Sequence, residues 1–357
     1  PFDSEALAAD VGKYAVSSDG RKIEYFTYGS TDPNAPVVVN MHGSGPEAFS
    51  EKSFYAPICE ALNVRGISLS LPGHGYTDMK PGRQVKDWPR EDLEPVLVQE
   101  QVNKFMITGH SSGNAHALAA GWYFKSRCIG MGLNAPLLPA PICRELEIPG
   151  ALAMDNLLTT ETIQKPYMGA YFAIYYIGMK FLAAWFPSTV LKPFGPRLME
   201  DPRLVQIFSD TFVRSADRGI GSVWESTYDV CYEWGFDVRE IEIPNICVWH
   251  AKDDTACPPE HGEFLARMFK EKGMRVDFKD PDVGFGHVTF NTCIYMEPET
   301  SIIKAMLDGL DQRTENREPR TENREPRTKI RDAEEAKRVR SFILSFGLCI
   351  CLALAGC

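Results

Sequence analysis

The pentapeptide Gly109-His110-Ser111-Ser112-Gly113, directly after the apolar run Lys104-Phe105-Met106-Ile107-Thr108, constrains this chain more than any other feature. A serine between glycines, with a strand-like run before it and a helix-like one after it, predicts a sharp strand-to-helix turn that lifts the hydroxyl clear of the backbone. Such a turn strains its central residue, and the glycines leave the room a side chain would take. Residues Ser112 to Tyr123 are crowded with Gly113, Ala115, Ala117, Ala119, Ala120 and Gly121, so a helix there can lie close against a sheet. The segment reads as a nucleophile elbow with Ser111 at its tip. The same letters also fit a surface loop, so the rest of the chain must supply the partners a serine nucleophile needs.

Around the elbow, strand-like and helix-like patterns alternate. Arg21 to Thr27 alternates in period two and reads as a half-exposed strand; Pro36 to Met41 is continuous and β-branched, as in a buried central strand. Phe49 to Leu62 reads as a helix, Gly66 to Leu71 as a strand, Glu91 to Gln99 as a short helix, and Cys128 to Leu133 as a strand. This alternation predicts the α/β class, a mostly parallel central sheet flanked by helices. From about Pro139 to Phe236 the pattern turns helical and aromatic, and Asn245 to His250 resumes the strand rhythm. The expected organisation is therefore a core in two parts, 1–138 and 237–310, interrupted by a helical cap, 139–236. Tyr167 to Phe186 carries Lys180 as its one charge; its glycines, aromatics and interior position favour a cap helix over a membrane span.

The 357 residues give ample length for one large α/β domain, and a 44% hydrophobic, 24% charged composition is that of an ordinary globular protein. A formal net charge of -10 argues against a nucleic-acid partner, which calls for a basic face. The ten cysteines form no C-x-x-C pair, so neither a zinc site nor a disulfide framework is indicated.

A serine hydroxyl needs a base beside it and a group to orient that base. The strand Asn245 to His250 runs into Ala251-Lys252-Asp253-Asp254-Thr255-Ala256-Cys257-Pro258-Pro259, a loop from which a carboxylate can emerge over the sheet. Past one more strand, Arg275 to Lys279, comes Gly284-Phe285-Gly286-His287. Of the seven histidines, His287 alone combines a position after the acid, a preceding strand and a flanking glycine. His42 and His74 read as structural turn residues, His110 lies within the elbow, and His116, His250 and His261 read as satisfied or exposed.

In this order of serine, acid and histidine the chain resembles the α/β-hydrolase superfamily, in its serine esterase form with a helical cap. Members often carry Gly-x-x-Asp with proline four residues later; Asp254 meets that spacing to Pro258 and Asp253 does not, although Ala251 replaces the glycine. Gly286-His287 resembles the family's Gly-His, and Leu71-Pro72-Gly73-His74-Gly75 its Pro-Gly-x-Gly loop. Trp234-Gly235-Phe236 and Trp249-His250 resemble a subgroup that helps align the acid loop. His42-Gly43-Ser44-Gly45-Pro46 resembles the His-Gly oxyanion loop. The resemblance implies a catalytic triad of Ser111, Asp254 and His287. Backbone N–H groups of Ser112 and Ser44 would form the oxyanion hole, with Gly43 as the alternative to Ser44.

Serine at the elbow disfavours the branches that use aspartate there, the epoxide hydrolases and haloalkane dehalogenases. The expected chemistry is hydrolysis of a carboxylic ester, or a related acyl bond, of a small hydrophobic substrate through an acyl-enzyme. Water is the second substrate, and neither a metal nor an organic cofactor is required. A histidine acts as base only when neutral, so activity should fall below about pH 6 to 7, the ordinary imidazole range. The alternative is a non-catalytic ligand-binding protein on the same fold.

Beyond Leu310 the composition shifts. Thr314-Glu315-Asn316-Arg317-Glu318-Pro319-Arg320 recurs identically as Thr321 to Arg327, so 311–340 reads as a disordered charged linker. Arg338-Val339-Arg340 then precedes an apolar tail, 341–357. Two readings of this end stand equally: a membrane anchor, acylated at Cys349 or Cys351, and a gene end assembled in error. With Pro1 in place of an initiator methionine, the compartment stays open between cytoplasm and membrane surface.

Overall fold

The computed structural model describes residues 12–44, 46–150, 185–186, 197–216, 229–292 and 294–315. Its strands are β1 (Lys13–Val16), β2 (Lys22–Gly29), β3 (Val37–Met41), β4 (Arg65–Leu69), β5 (Phe105–His110), β6 (Cys128–Asn134), β7 (Asn245–Trp249) and β8 (Arg275–Lys279). They form one sheet in the order β1-β2-β4-β3-β5-β6-β7-β8. β2 is antiparallel to β1 and β4, and every pairing from β4 to β8 is parallel.

The helices are α1 (Ala48–Ala61), α2 (Glu94–Gln99), α3 (Gly113–Phe124), α4 (Ala140–Leu146), α5 (Pro202–Ala216), α6 (Pro259–Glu271) and α7 (Ile302–Glu315). Alternate strand side chains feed two cores. Val37, Val39 and Met41 of β3, with Phe105 and Ile107 of β5, pack with α2, α3 and α6 through Leu97, Leu118 and Phe269. Val38 and Met106 face the other way, toward Phe54 and Ile58 of α1, Phe208 of α5 and Ile303 of α7. Both faces of the sheet are therefore covered, which is why β3 and β5 read as continuous apolar runs.

β2 departs from its expected half exposure: Ile23, Glu24, Tyr25 and Phe26 are all buried. Its period-two pattern arises because Glu24 is a buried carboxylate, satisfied by Ser70 Oγ at 3.1 Å and the Tyr76 N–H at 2.9 Å. β1, four residues long, gives no sequence signal of its own. The short helix expected from Glu91 begins as a π-type turn, Pro89–Leu93, and becomes α-helical at Glu94.

The register aligns the carboxyl ends of the parallel strands, pairing Met41 with Gly109, His110 with Asn134, Asn134 with Trp249 and Trp249 with Lys279. The loops leaving these strands consequently gather at one end of the sheet, where ligands bind in open α/β sheets.

Among the described residues of 139–236 there are helices and turns and no strand. α5 lies against α1, with the Phe208 and Phe54 rings 5.8 Å apart. Of the apolar segment Tyr167 to Phe186, Trp185 and Phe186 are described and exposed, and the rest lies outside the described residues. α7 continues past Leu310 to Glu315, into the segment expected to be linker; the second repeat and the tail 341–357 lie outside the described residues. Among the described residues no helix is long and apolar enough to cross a membrane.

Candidate active site

Ser111 follows β5 directly and has φ +55°, the left-handed region that side chains seldom occupy. Two glycines make the turn possible by close approach rather than by unusual angles of their own. A Cβ on Gly109 would stand 2.7 Å from the Asn114 nitrogen, and one on Gly113 2.5 Å from the Met41 carbonyl oxygen and 2.6 Å from that of His42. The elbow is thus wedged against the end of β3, and the Ser111 N–H donates to the Asn134 carbonyl at the end of β6, 3.1 Å away. Ser111 is half-buried, whereas Ser112 through Gly121 are fully buried.

The loop after β7 carries the acid. Asp254 is 5% exposed, and its two carboxylate oxygens are divided between backbone and imidazole donors. Oδ1 accepts the N–H groups of Ala256 at 2.8 Å and Cys257 at 3.0 Å. Oδ2 faces His287 Nδ1 at 2.8 Å and His250 Nε2 at 3.3 Å. Burial alone would raise this carboxyl, yet the neighbouring His287 and the hydrogen bonds from both imidazoles hold it well below the usual carboxylate range. Asp254 is therefore a fixed anion aimed at the His287 ring.

His287 sits after β8 in a short helical turn, Gly286–Asn291. The neighbouring carboxylate, Asp253, takes a different part: its Oδ2 accepts the Gly286 N–H at 2.9 Å and so ties the acid loop to the histidine loop. Arg197 donates to the Val283 carbonyl at 3.0 Å and lies over the Phe285 ring at 4.8 Å. His110 Nε2 donates to the His287 carbonyl at 3.1 Å, and the two rings lie 5.0 Å apart. Burial, then the neighbouring His287, lowers the His110 imidazole to about 4, so it stays neutral.

The loop after β3 lies across the elbow. A Cβ on Gly43 would stand 3.1 Å from Ser111 Cβ, and Ser44 Oγ donates to Ser112 Oγ at 3.0 Å. His42 holds this loop: its Nε2 accepts the Leu71 N–H at 2.9 Å, which leaves Nδ1 to donate to the Gly43 carbonyl at 2.8 Å. Burial lowers His42 to about 4, consistent with that neutral tautomer.

The fold thus brings Asp254 to His287, and Ser44 to Ser112. Among the described residues no hydrogen bond joins Ser111 to His287; the Ser111 side chain lies near the buried thiol of Cys257, which burial raises well above the ordinary range. Catalytic hydrogen bonds commonly tighten only with substrate in place. Among the described residues no group of three or more His, Cys, Asp and Glu side chains is arranged to hold a metal ion.

A family model described as "Alpha/beta hydrolase family" matches residues 37–288. The chain belongs to the alpha/beta hydrolase family. A search of curated proteins by sequence finds no match. Solved alpha/beta hydrolase structures superpose over most of the chain. A hydrolase from Pseudomonas aeruginosa is similar at 20% identity and TM-score 0.58, over 84% of this chain and 98% of its own. An esterase from Exiguobacterium antarcticum follows at 19% and 0.55, over 85% and 99%. The enol-lactonase from Burkholderia xenovorans is similar at 15% and 0.51, over 85% and 98%. At these identities the likeness is one of fold.

Four residues of this alpha/beta hydrolase site escaped the sequence reading. His250, expected to be satisfied or exposed, is buried against Asp254; its place four residues before the acid was the available signal. Cys257 touches Ser111, Asp253 braces the histidine loop, and Asn114 binds the Ser111 carbonyl. The last three have no signature along the chain, since each contact joins different loops or closes a turn.

Proposed function

We propose that this protein is a serine hydrolase that cleaves a carboxylic ester of a small, hydrophobic substrate through an acyl-enzyme. The observation that carries the reading is the buried Asp254–His287 pair at 2.8 Å, on the loops after β7 and β8, beside a serine held at φ +55° after β5.

Ser111 Oγ attacks the ester carbonyl carbon while His287 Nε2 takes the hydroxyl proton, and Asp254 holds the imidazolium that forms. The carbonyl oxygen becomes an oxyanion that accepts the backbone N–H groups of Ser112 and Ser44, or Gly43 in place of Ser44. Collapse breaks the carbon–oxygen bond to the alcohol, which leaves with the proton from His287. Water, deprotonated by His287, then attacks the acyl-enzyme, and the acid departs as Ser111 recovers its proton. Burial of Asp254 among four donors supports its role as a fixed counter-charge rather than a proton carrier.

The test is hydrolysis of p-nitrophenyl esters of graded acyl length by the wild type and by Ser111→Ala. Turnover that depends on Ser111 is expected, with a preference among chain lengths that reports the cap. The second reading is a ligand-binding protein on this fold, in which Ser111, without a hydrogen bond to His287 among the described residues, carries out no chemistry. Absence of turnover across the series would support it.

A further inference from the structure

Asn114 lies at the second position of α3, fully buried, and its side-chain amide faces two backbone carbonyls. Its Nδ2 donates to the Ser111 carbonyl at 2.8 Å and to the Asn134 carbonyl at 2.8 Å. Its backbone N–H also donates to the Ser111 carbonyl, at 3.0 Å. Both bonds into the Ser111 oxygen therefore come from one residue, while the Asn134 oxygen also holds the Ser111 N–H at 3.1 Å. The amide cannot be reversed, because its oxygen would then face two carbonyl oxygens. Asn114 Oδ1 itself is buried without a partner. A buried orphan acceptor is unfavourable, so the orientation is kept for what the NH2 group binds.

The consequence lies at the other end of the same peptide. The Ser111 carbonyl and the Ser112 N–H belong to one planar trans unit, and they point in opposite directions. Holding the carbonyl back toward α3 and β6 aims the Ser112 N–H forward, away from the sheet. As a first-turn donor of α3, that N–H has no intrahelical acceptor. Two hydrogen bonds into the carbonyl also polarise the peptide and strengthen its N–H as a donor.

We infer that Asn114 is the positioning residue of the oxyanion hole: its carboxamide, bridging the Ser111 and Asn134 carbonyls, fixes the peptide plane that presents the Ser112 N–H to the substrate carbonyl. This inference rests on the serine hydrolase reading. Asn114 touches neither substrate nor the reacting atoms, and acts through the Ser111–Ser112 peptide. Its effect belongs to the transition state, where charge builds on the oxygen, rather than to substrate binding.

The experiment measures kcat and KM on p-nitrophenyl butyrate and the inhibition constant of an alkyl trifluoromethyl ketone, whose hemiketal oxyanion mimics the tetrahedral intermediate. Full removal of one oxyanion donor costs about 100-fold or more, and a misaimed one less. Asn114→Ala is expected to lower kcat about tenfold and weaken the ketone by a similar factor, with KM within about twofold. In Asn114→Ser the hydroxyl can donate to the carbonyl three residues back, and it should recover part of both losses. If Asn114→Ala does not fold, Asn114→Ser and Asn114→Cys, alike in size and unlike in donor strength, make the same comparison, with serine expected above cysteine. Unchanged kcat and ketone affinity in folded Asn114→Ala, or equal values for serine and cysteine, would overturn the inference. If the wild type neither turns over esters nor reacts with a fluorophosphonate, the hydrolase reading falls and takes the inference with it. An active wild type matched by its Asn114 variants removes the inference alone.

Discussion

His250 Nε2 stands 3.3 Å from Asp254 Oδ2, the same carboxylate oxygen that holds His287 Nδ1 at 2.8 Å. Two imidazoles thus share one acceptor atom, and His250 also donates to the Cys257 carbonyl at 2.9 Å. Removing a donor to a buried charge costs about 1.5 to 3 kcal/mol, but Asp254 keeps three others. His250→Leu is therefore expected to lower kcat about tenfold, near the bottom of that range, while His250→Gln, which retains a donor, recovers part of it. Steady-state kinetics on a p-nitrophenyl ester check this; equal rates for the leucine variant and the wild type would leave His250 a packing residue.

The approach of α3 to β3 sets a second prediction. A Cβ on Gly113 would meet the Met41 and His42 carbonyl oxygens at 2.5 and 2.6 Å, both rigid backbone atoms. Gly113→Ala must push the elbow away from the loop that carries Gly43 and Ser44. Overpacking of this kind costs about 1 to 3 kcal/mol. A lower midpoint in urea is expected, with a larger fractional loss of activity than of folded protein, measured by pairing the urea curve with kcat.

Stability should depend on pH through groups that are buried and neutral. His42, His110 and His261 are each lowered to about 4, burial being the main cause. Unfolded histidine titrates near about 6.5, so between those values the unfolded chain binds more protons and stability falls as pH falls. Glu51 has the opposite sign: burial, then neighbouring Glu47, raises it to about 8. From the ordinary carboxylate range up to that value the folded protein binds the extra proton, and stability falls as pH rises. Each group contributes up to about 1.4 kcal/mol per pH unit within its window. Thermal melts should therefore show Tm declining from pH 6.5 toward 4 and again toward 8, and Glu51→Gln should flatten the alkaline limb while leaving the acid limb in place.

Where the sequence pattern and the fold agree, one physical demand dominates. β3 and β5 are buried on both faces, so continuous apolar runs mark them, a β-branched one in β3. The elbow was legible because close approach at Gly109 and Gly113 tolerates no side chain. The choice between Asp253 and Asp254 was posed by spacing to a proline, and in the fold it is Asp254 that faces His287 while Asp253 binds the Gly286 N–H. β2 was misread because a buried, satisfied glutamate imitates an exposed one in sequence. His250 offered only its place four residues before Asp254 and Asn114 offered nothing: their roles depend on which carboxylate or carbonyl the folded loops bring within reach.

The catalytic use of Ser111 is tested most directly by reacting the folded wild type and Ser111→Ala with a fluorophosphonate, then locating the adduct by peptide mass spectrometry. One adduct is expected on the wild type, on Ser111, absent from Ser111→Ala and suppressed in His287→Ala. A folded wild type that remains unlabelled, or labelling that persists in Ser111→Ala, would contradict a serine nucleophile at this elbow.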